Sequence, residues 1–181
     1  LLFREGPLLK MTVYLLGGTV LALALFYLVR GRIRIDGKKT GRTITRFKAF
    51  ERFGHWLLAS SFIILGLTGL ISLIGRKVLI PTFGHDAFSF LAIGSKWVHN
   101  NVSWAFIVAL VIIFVVWVVH NIPDRTDLVW LSKAGGLLGG SHPPAKKFNA
   151  GQKLIFWAVI ILGGSIAVSG VSLLFPFEFH M

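Results

Sequence analysis

Four stretches of the chain carry no Asp, Glu, Lys or Arg: 11–29, 53–75, 97–123 and 154–177. As helices rising ~1.5 Å per residue, each can cross the ~30 Å hydrocarbon layer of a bilayer. The pattern predicts an all-α membrane protein. Three spans, at about 53–75, 97–121 and 154–175, form one membrane domain over 53–177. They follow an N-terminal segment and helix in 1–30 and a basic linker in 31–52. The first run could instead be a signal anchor, but 19 uncharged residues before Arg30 suit a true span better. Pro176 is expected to stop the last helix. The opening "LLFREGPLLK" reads as the middle of a longer polypeptide, and 178–181 as an outer-side end at which truncation is expected.

Two connecting segments have patterns of their own. "RGRIRIDGKKTGRTITRFKAF" alternates Arg with Ile and then offers Asp36-Gly37 and Gly41, a hairpin signal with a longer than minimal turn. A basic juxtamembrane linker near anionic lipid is the plainer reading. Segment 124–153 is rich in Gly, Pro and polar residues, too irregular for a long helix, and the kind of loop in which a small-molecule site can form.

Composition agrees with the spans: 55% of residues are apolar and 14% charged, far from a soluble domain of this size. Charge then sets the orientation. Fourteen Lys and Arg lie in 30–52 and 124–153, against five in the remaining segments. By the positive-inside bias, segments 31–52 and 124–153 are cytoplasmic. The net charge of +12 is thereby largely a topology signal, and nucleic acid is rejected as a partner. Cysteine is absent, so the chain cannot build disulfides, thiolate zinc sites or iron–sulfur clusters. All seven carboxylates lie outside the long spans, which argues against a transporter.

The histidines carry the candidate chemistry. His85, His142 and His180 sit in loop or tail contexts and read as solvated. His120 precedes the "NIPD" helix stop, where capping of the last carbonyls is expected. His55 and His99 stand just inside uncharged runs, beside or near Trp56 and Trp97, one toward each membrane face. A single such residue is as readily an interfacial histidine bonded to a neighbouring helix or headgroup. Two, one per face, point to haem, because imidazole is its commonest nitrogen ligand and bis-imidazole ligation suits electron transfer. Gly54, Gly66 and Gly69 offer gaps for a macrocycle or for a close helix.

The order "RFKAFERFGHWLLASSFIILGLTGL", "KWVHNNVSWAF", "HNIPDRTDLVWL" and "KFNAGQKLIFWAVIILGGSIAVSGV" resembles the cytochrome b (gamma) subunit of membrane-bound respiratory formate dehydrogenases, over about residues 46–175. The pairing of "HNIPD" with "FNAGQK" carries the likeness. It implies a di-haem cytochrome b four-helix core whose fourth core helix is missing here, plus an extra N-terminal helix. It implies haem b ligation by His55 near the cytoplasm and His99 near the outer face, with their axial partners on a missing helix carrying two histidines.

It further implies a quinone site at Asn149, Gly151 and Gln152. The partners implied are an iron–sulfur beta subunit and a molybdenum- or tungsten-containing alpha subunit, and the location is the cell inner membrane. Electrons would pass from the iron–sulfur subunit through two haems to quinone, and this chain would not itself oxidise formate. "NAGQ" also has capping-box spacing, so Asn149 can cap its helix as well. The alternatives are the cytochrome b subunit of a nickel-iron hydrogenase or related oxidoreductase, and a haem-free structural anchor.

Overall fold

A computed structural model describes residues 4–32, 41, 43–137 and 143–175. A π-helical turn, Arg4–Leu8, leads into α1, Leu9–Arg30; then come α2, Ala49–Ile74, and α3, Ile80–Trp117. A 3₁₀ turn, Val118–Asn121, precedes the short α4, Arg125–Ser132, and after a further 3₁₀ turn, Ala134–Gly136, the long α5 runs Ala150–Leu174. The described residues contain no strand. The hairpin expected around Asp36-Gly37 and the stop at Pro176 lie outside them.

Among the described residues, three helical stretches are long and apolar enough to cross a membrane: Gly6–Arg30, Ala49–Asn121 and Ala150–Leu174. The middle one, at 73 residues, contains both spans expected at 53–75 and 97–121. The segment between those spans was expected to be a loop, yet it is helical. A π turn at Gly75–Leu79 continues α2, and α3 starts with Pro81 in its first turn, where a missing N–H costs nothing. The helical backbone breaks at Gly84, whose φ of 83° and ψ of 171° suit a residue without a Cβ. By length and composition, these stretches fit a chain that crosses the membrane more than once.

Many polar groups of the helices are paired locally, as lipid requires. At the start of α2, Glu51 Oε2 accepts the Lys48 backbone N–H at 2.7 Å, covering a donor the helix leaves unpaired. Ser60 and Ser61 donate to the carbonyls of Trp56 and Leu57, each at 2.7 Å. At the end of α3, Asn121 Nδ2 donates to Trp117 O at 2.9 Å. His120, expected to cap here, is exposed and makes no hydrogen bond among the described residues. The shorter amide of Asn121 reaches the carbonyl instead.

The chain divides into two units, with boundaries inside α2 and inside α3. One holds α1 together with Gly66–His99, and the other holds Ile44–Leu65 and the chain from Asn100 onward. In the second, Phe106, Ala109, Leu110 and Ile113 form one stripe of α3 and pack with Leu58 of α2 and Phe156 of α5, a spacing of three and four residues that keeps them on one face. Apolar burial gives helices little reason to associate inside lipid, so close packing by small residues matters more. A Cβ on Gly54 would come within 2.9 Å of Ile112, and one on Gly163 within 3.2 Å of Phe106. Gly54 thus makes room for a helix rather than a macrocycle. In the first unit a side chain at Gly75 would collide with the Phe88 ring. Helix α1 buries no residue, as a lipid-facing helix can.

Candidate functional site

His99 is held in the first unit by α2. Thr68 Oγ1 lies 2.7 Å from His99 Nδ1, and Ser95 Oγ, one turn earlier on α3, donates to Thr68 O at 3.1 Å. Thr68 and Ser95 are both buried, at 8% and 6% exposure. Gly69 faces the far edge of the ring, where an added Cβ would stand 3.9 Å from His99 Cε1, in ordinary contact. Gly66, one turn back, has open space around it.

His55 belongs to the second unit and is held differently. Its ring meets Trp56 edge-on at 5.5 Å and Trp117 at 6.1 Å between centroids. It is exposed on the chain surface and makes no hydrogen bond among the described residues. Trp117 is itself fixed, since its Nε1 donates to Glu51 Oε1 at 2.8 Å, and Glu51 sits one turn before His55 on the same helix face.

The same carboxylate reaches the loop before α5. Lys147 Nζ pairs with Glu51 Oε1, and Arg46 donates to Lys147 O at 2.6 Å and Gln152 Oε1 at 3.5 Å. Two residues beyond Lys147, Asn149 caps α5: its Oδ1 accepts from Gln152 N at 2.9 Å, while Gln152 Oε1 accepts from Asn149 N at 3.1 Å. The capping box anticipated in "NAGQ" is therefore formed. It consumes the oxygens of both amides and leaves both NH₂ groups as donors. At Gly151 a Cβ would meet Trp130 of α4 at 3.1 Å, so the glycine lets Trp130 lie against the start of α5.

Glu51 thus clasps the His55 helix turn to the Asn149 loop. Glu51→Gln is expected to cost about 1–3 kcal/mol by leaving Lys147 without its carboxylate. Trypsin should then cleave after Lys146 and Lys147 faster in the detergent-solubilised variant than in the parent.

A second charged cluster ties α4 to α5. Lys153, 4% exposed, donates to Asp127 Oδ2 at 2.8 Å, to Asp124 Oδ2 at 3.0 Å and to Ile122 O at 3.0 Å. Asp124 also accepts from Thr126 N at 2.8 Å, from the Thr126 hydroxyl, and from Lys146 at 3.1 Å. The Thr126 hydroxyl first, then Lys153, holds its carboxyl well below the usual range. Next to this cluster an open cavity of about 290 Å³ is lined by His120, Asp124, Lys146 and Lys147 with Val119, Ile122 and Pro123.

A family model described as prokaryotic cytochrome b561 matches residues 46–181. The chain belongs to the prokaryotic cytochrome b561 family. It is 32% identical over 140 residues to the nitrate-inducible formate dehydrogenase cytochrome b556(Fdn) subunit of Escherichia coli K12, covering 75% of this chain and 62% of that protein. To the cytochrome b556(fdo) subunit of the same organism it is 29% identical over the same shares of both chains. To the formate dehydrogenase cytochrome b556 subunit of Haemophilus influenzae it is 25% identical over 135 residues, 71% of this chain and 53% of that one. The chain therefore spans between half and two thirds of the length of these relatives.

Membership of the cytochrome b561 family implies haem b, and the two histidines fit such a group. His55 keeps both ring nitrogens uncommitted, and His99 keeps Nε2, among the described residues. No group of three or more His, Cys, Asp or Glu gathers among those residues; a haem iron needs only one such nitrogen on each side. His85 is exposed one residue after the Gly84 break and faces no such arrangement. Sequence reasoning missed Thr68, Ser95, Glu51 and Lys153. A carboxylate four residues before a candidate ligand, at the edge of an apolar run, was a usable signal; nothing in the sequence paired Thr68 with a residue 31 positions away.

Proposed function

We propose that the chain is the membrane-anchoring cytochrome b subunit of a respiratory formate dehydrogenase. Its partners are then an iron–sulfur beta subunit, which delivers electrons, and a molybdenum- or tungsten-containing alpha subunit, which oxidises formate. Quinone is reduced at the cytoplasmic side of the inner membrane. Support comes from the names of the relatives and from one observation above all: the Glu51–Lys147 clasp joins the helix turn bearing His55 to the loop bearing Asn149. A redox centre and the acceptor it serves need such mutual fixation.

His55 and His99 hold one haem b each, and bound haem b supplies one-electron transfer at its iron. Around the quinone ring, the NH₂ groups of Asn149 and Gln152 donate to carbonyl oxygens, and Gly151 keeps Trp130 close to the site. Complete reduction takes two electrons and two protons, the protons entering from the cytoplasmic face.

Asn149→Asp tests the quinone assignment, because aspartate keeps the capping oxygen of α5 and replaces the donor by a negative charge. Losing one such hydrogen bond, worth about 1.5–3 kcal/mol, slows haem reoxidation by a short-chain quinone by about 10- to 100-fold, with formate-driven haem reduction unchanged. An unaltered reoxidation rate would place the quinone elsewhere.

A further inference from the structure

We propose that Thr68 is the positioning residue for His99, accepting a hydrogen bond from Nδ1–H and so fixing the tautomer in which Nε2 carries the lone pair for iron. The inference rests on the reading of His99 as a haem ligand and adds which nitrogen binds and what selects it.

Three observations carry it. The Thr68 Oγ1 to His99 Nδ1 distance is 2.7 Å, a full hydrogen bond rather than a van der Waals neighbour. Thr68 is buried in the middle of an apolar helix, where a polar group is costly unless paired. The contact is also doubled: Ser95 and His99, one turn apart on α3, grip the backbone oxygen and the side-chain oxygen of the same residue. The Ser95 bond fixes α3 against α2 one turn before His99, and the Thr68 hydroxyl then holds the ring at Nδ1.

The chemistry follows from the direction of the bond. Threonine hydroxyls in helices ordinarily give their proton to a carbonyl three or four residues back, which leaves the oxygen as acceptor toward a neighbour. Imidazole then donates from Nδ1, and neutral imidazole has a lone pair only at the other nitrogen. An accepting partner on that N–H also makes the ligating nitrogen more basic. A more basic ligand favours the ferric over the ferrous iron, so Thr68 holds the potential of this haem down.

The test compares Thr68→Ala with Thr68→Ser, which differ by the hydroxyl alone, in redox titrations of the b-type absorption of the intact complex in native membranes. Thr68→Ala should shift one b component to a more positive potential and loosen that haem by about tenfold. Thr68→Ser should titrate as the parent does. If alanine removes the haem and serine retains it, the hydroxyl is equally shown to matter. Alanine and serine behaving alike would overturn the role of Thr68. His99→Ala separates this from the underlying reading: with Thr68 silent and His99→Ala losing a haem, only the positioning role fails, whereas His99→Ala retaining both haems would refute ligation itself.

Discussion

Lys153→Met is expected to destabilise the chain by about 3 kcal/mol, the largest effect of any single substitution outside the histidines. Methionine matches the length and apolar stem of lysine, so packing around α5 is kept while the ammonium is lost. Asp127, buried at 8% exposure, and Asp124 then stand side by side at the start of α4 without the α5 cation that bridges them. Removing one partner of a buried ion pair costs about 3–5 kcal/mol, and the partial exposure of Asp124 places this case at the low end. Thermal unfolding of the detergent-solubilised protein should show the loss. Adding Asp127→Asn to Lys153→Met should recover part of it, because the stranded charge goes with it. A Lys153→Met variant as stable as the parent would show that this cluster is solvated rather than structural.

The membrane character of the chain was legible because lipid imposes a simple rule: a span must exclude charge over about 20 residues, and four such runs stand out in the sequence. What lies between runs obeys no such rule. Residues 76–96 carry Arg76, Lys77 and Lys96 with a proline and two glycines, which read as a loop, but Pro81 falls in a first helical turn and only Gly84 leaves the helix. The cap at Asn149 was readable because it is local, set by residues three apart. Each remaining contact joins residues distant in sequence: Thr68 with His99, Glu51 with Lys147, Lys153 with Asp124 and Asp127. A lone polar residue in an apolar run signals that a partner exists without saying which residue it is. The role of Gly54 was open for the same reason, and the side chains of Ile112 and Ile113 decide it in favour of helix packing.

The histidines are expected to produce the clearest losses. Under the proposed assignment, His55→Ala and His99→Ala each remove the nitrogen that holds one iron; the indoles of Trp56 and Trp117 that contact His55 and the Thr68 hydroxyl beside His99 do not replace an imidazole. The effects should also differ. On the proposed electron path, loss at His55 should leave haem reduction by formate intact and block transfer onward to quinone, while loss at His99 should block reduction of the remaining haem.

The most direct measurement is the reduced-minus-oxidised spectrum of the complex in native membranes for the parent and for the two alanine variants. The account predicts b-type bands from two components in the parent and from one in each variant, a different one in each. Absence of b-type bands in the parent, or an unchanged spectrum in both variants, would contradict it.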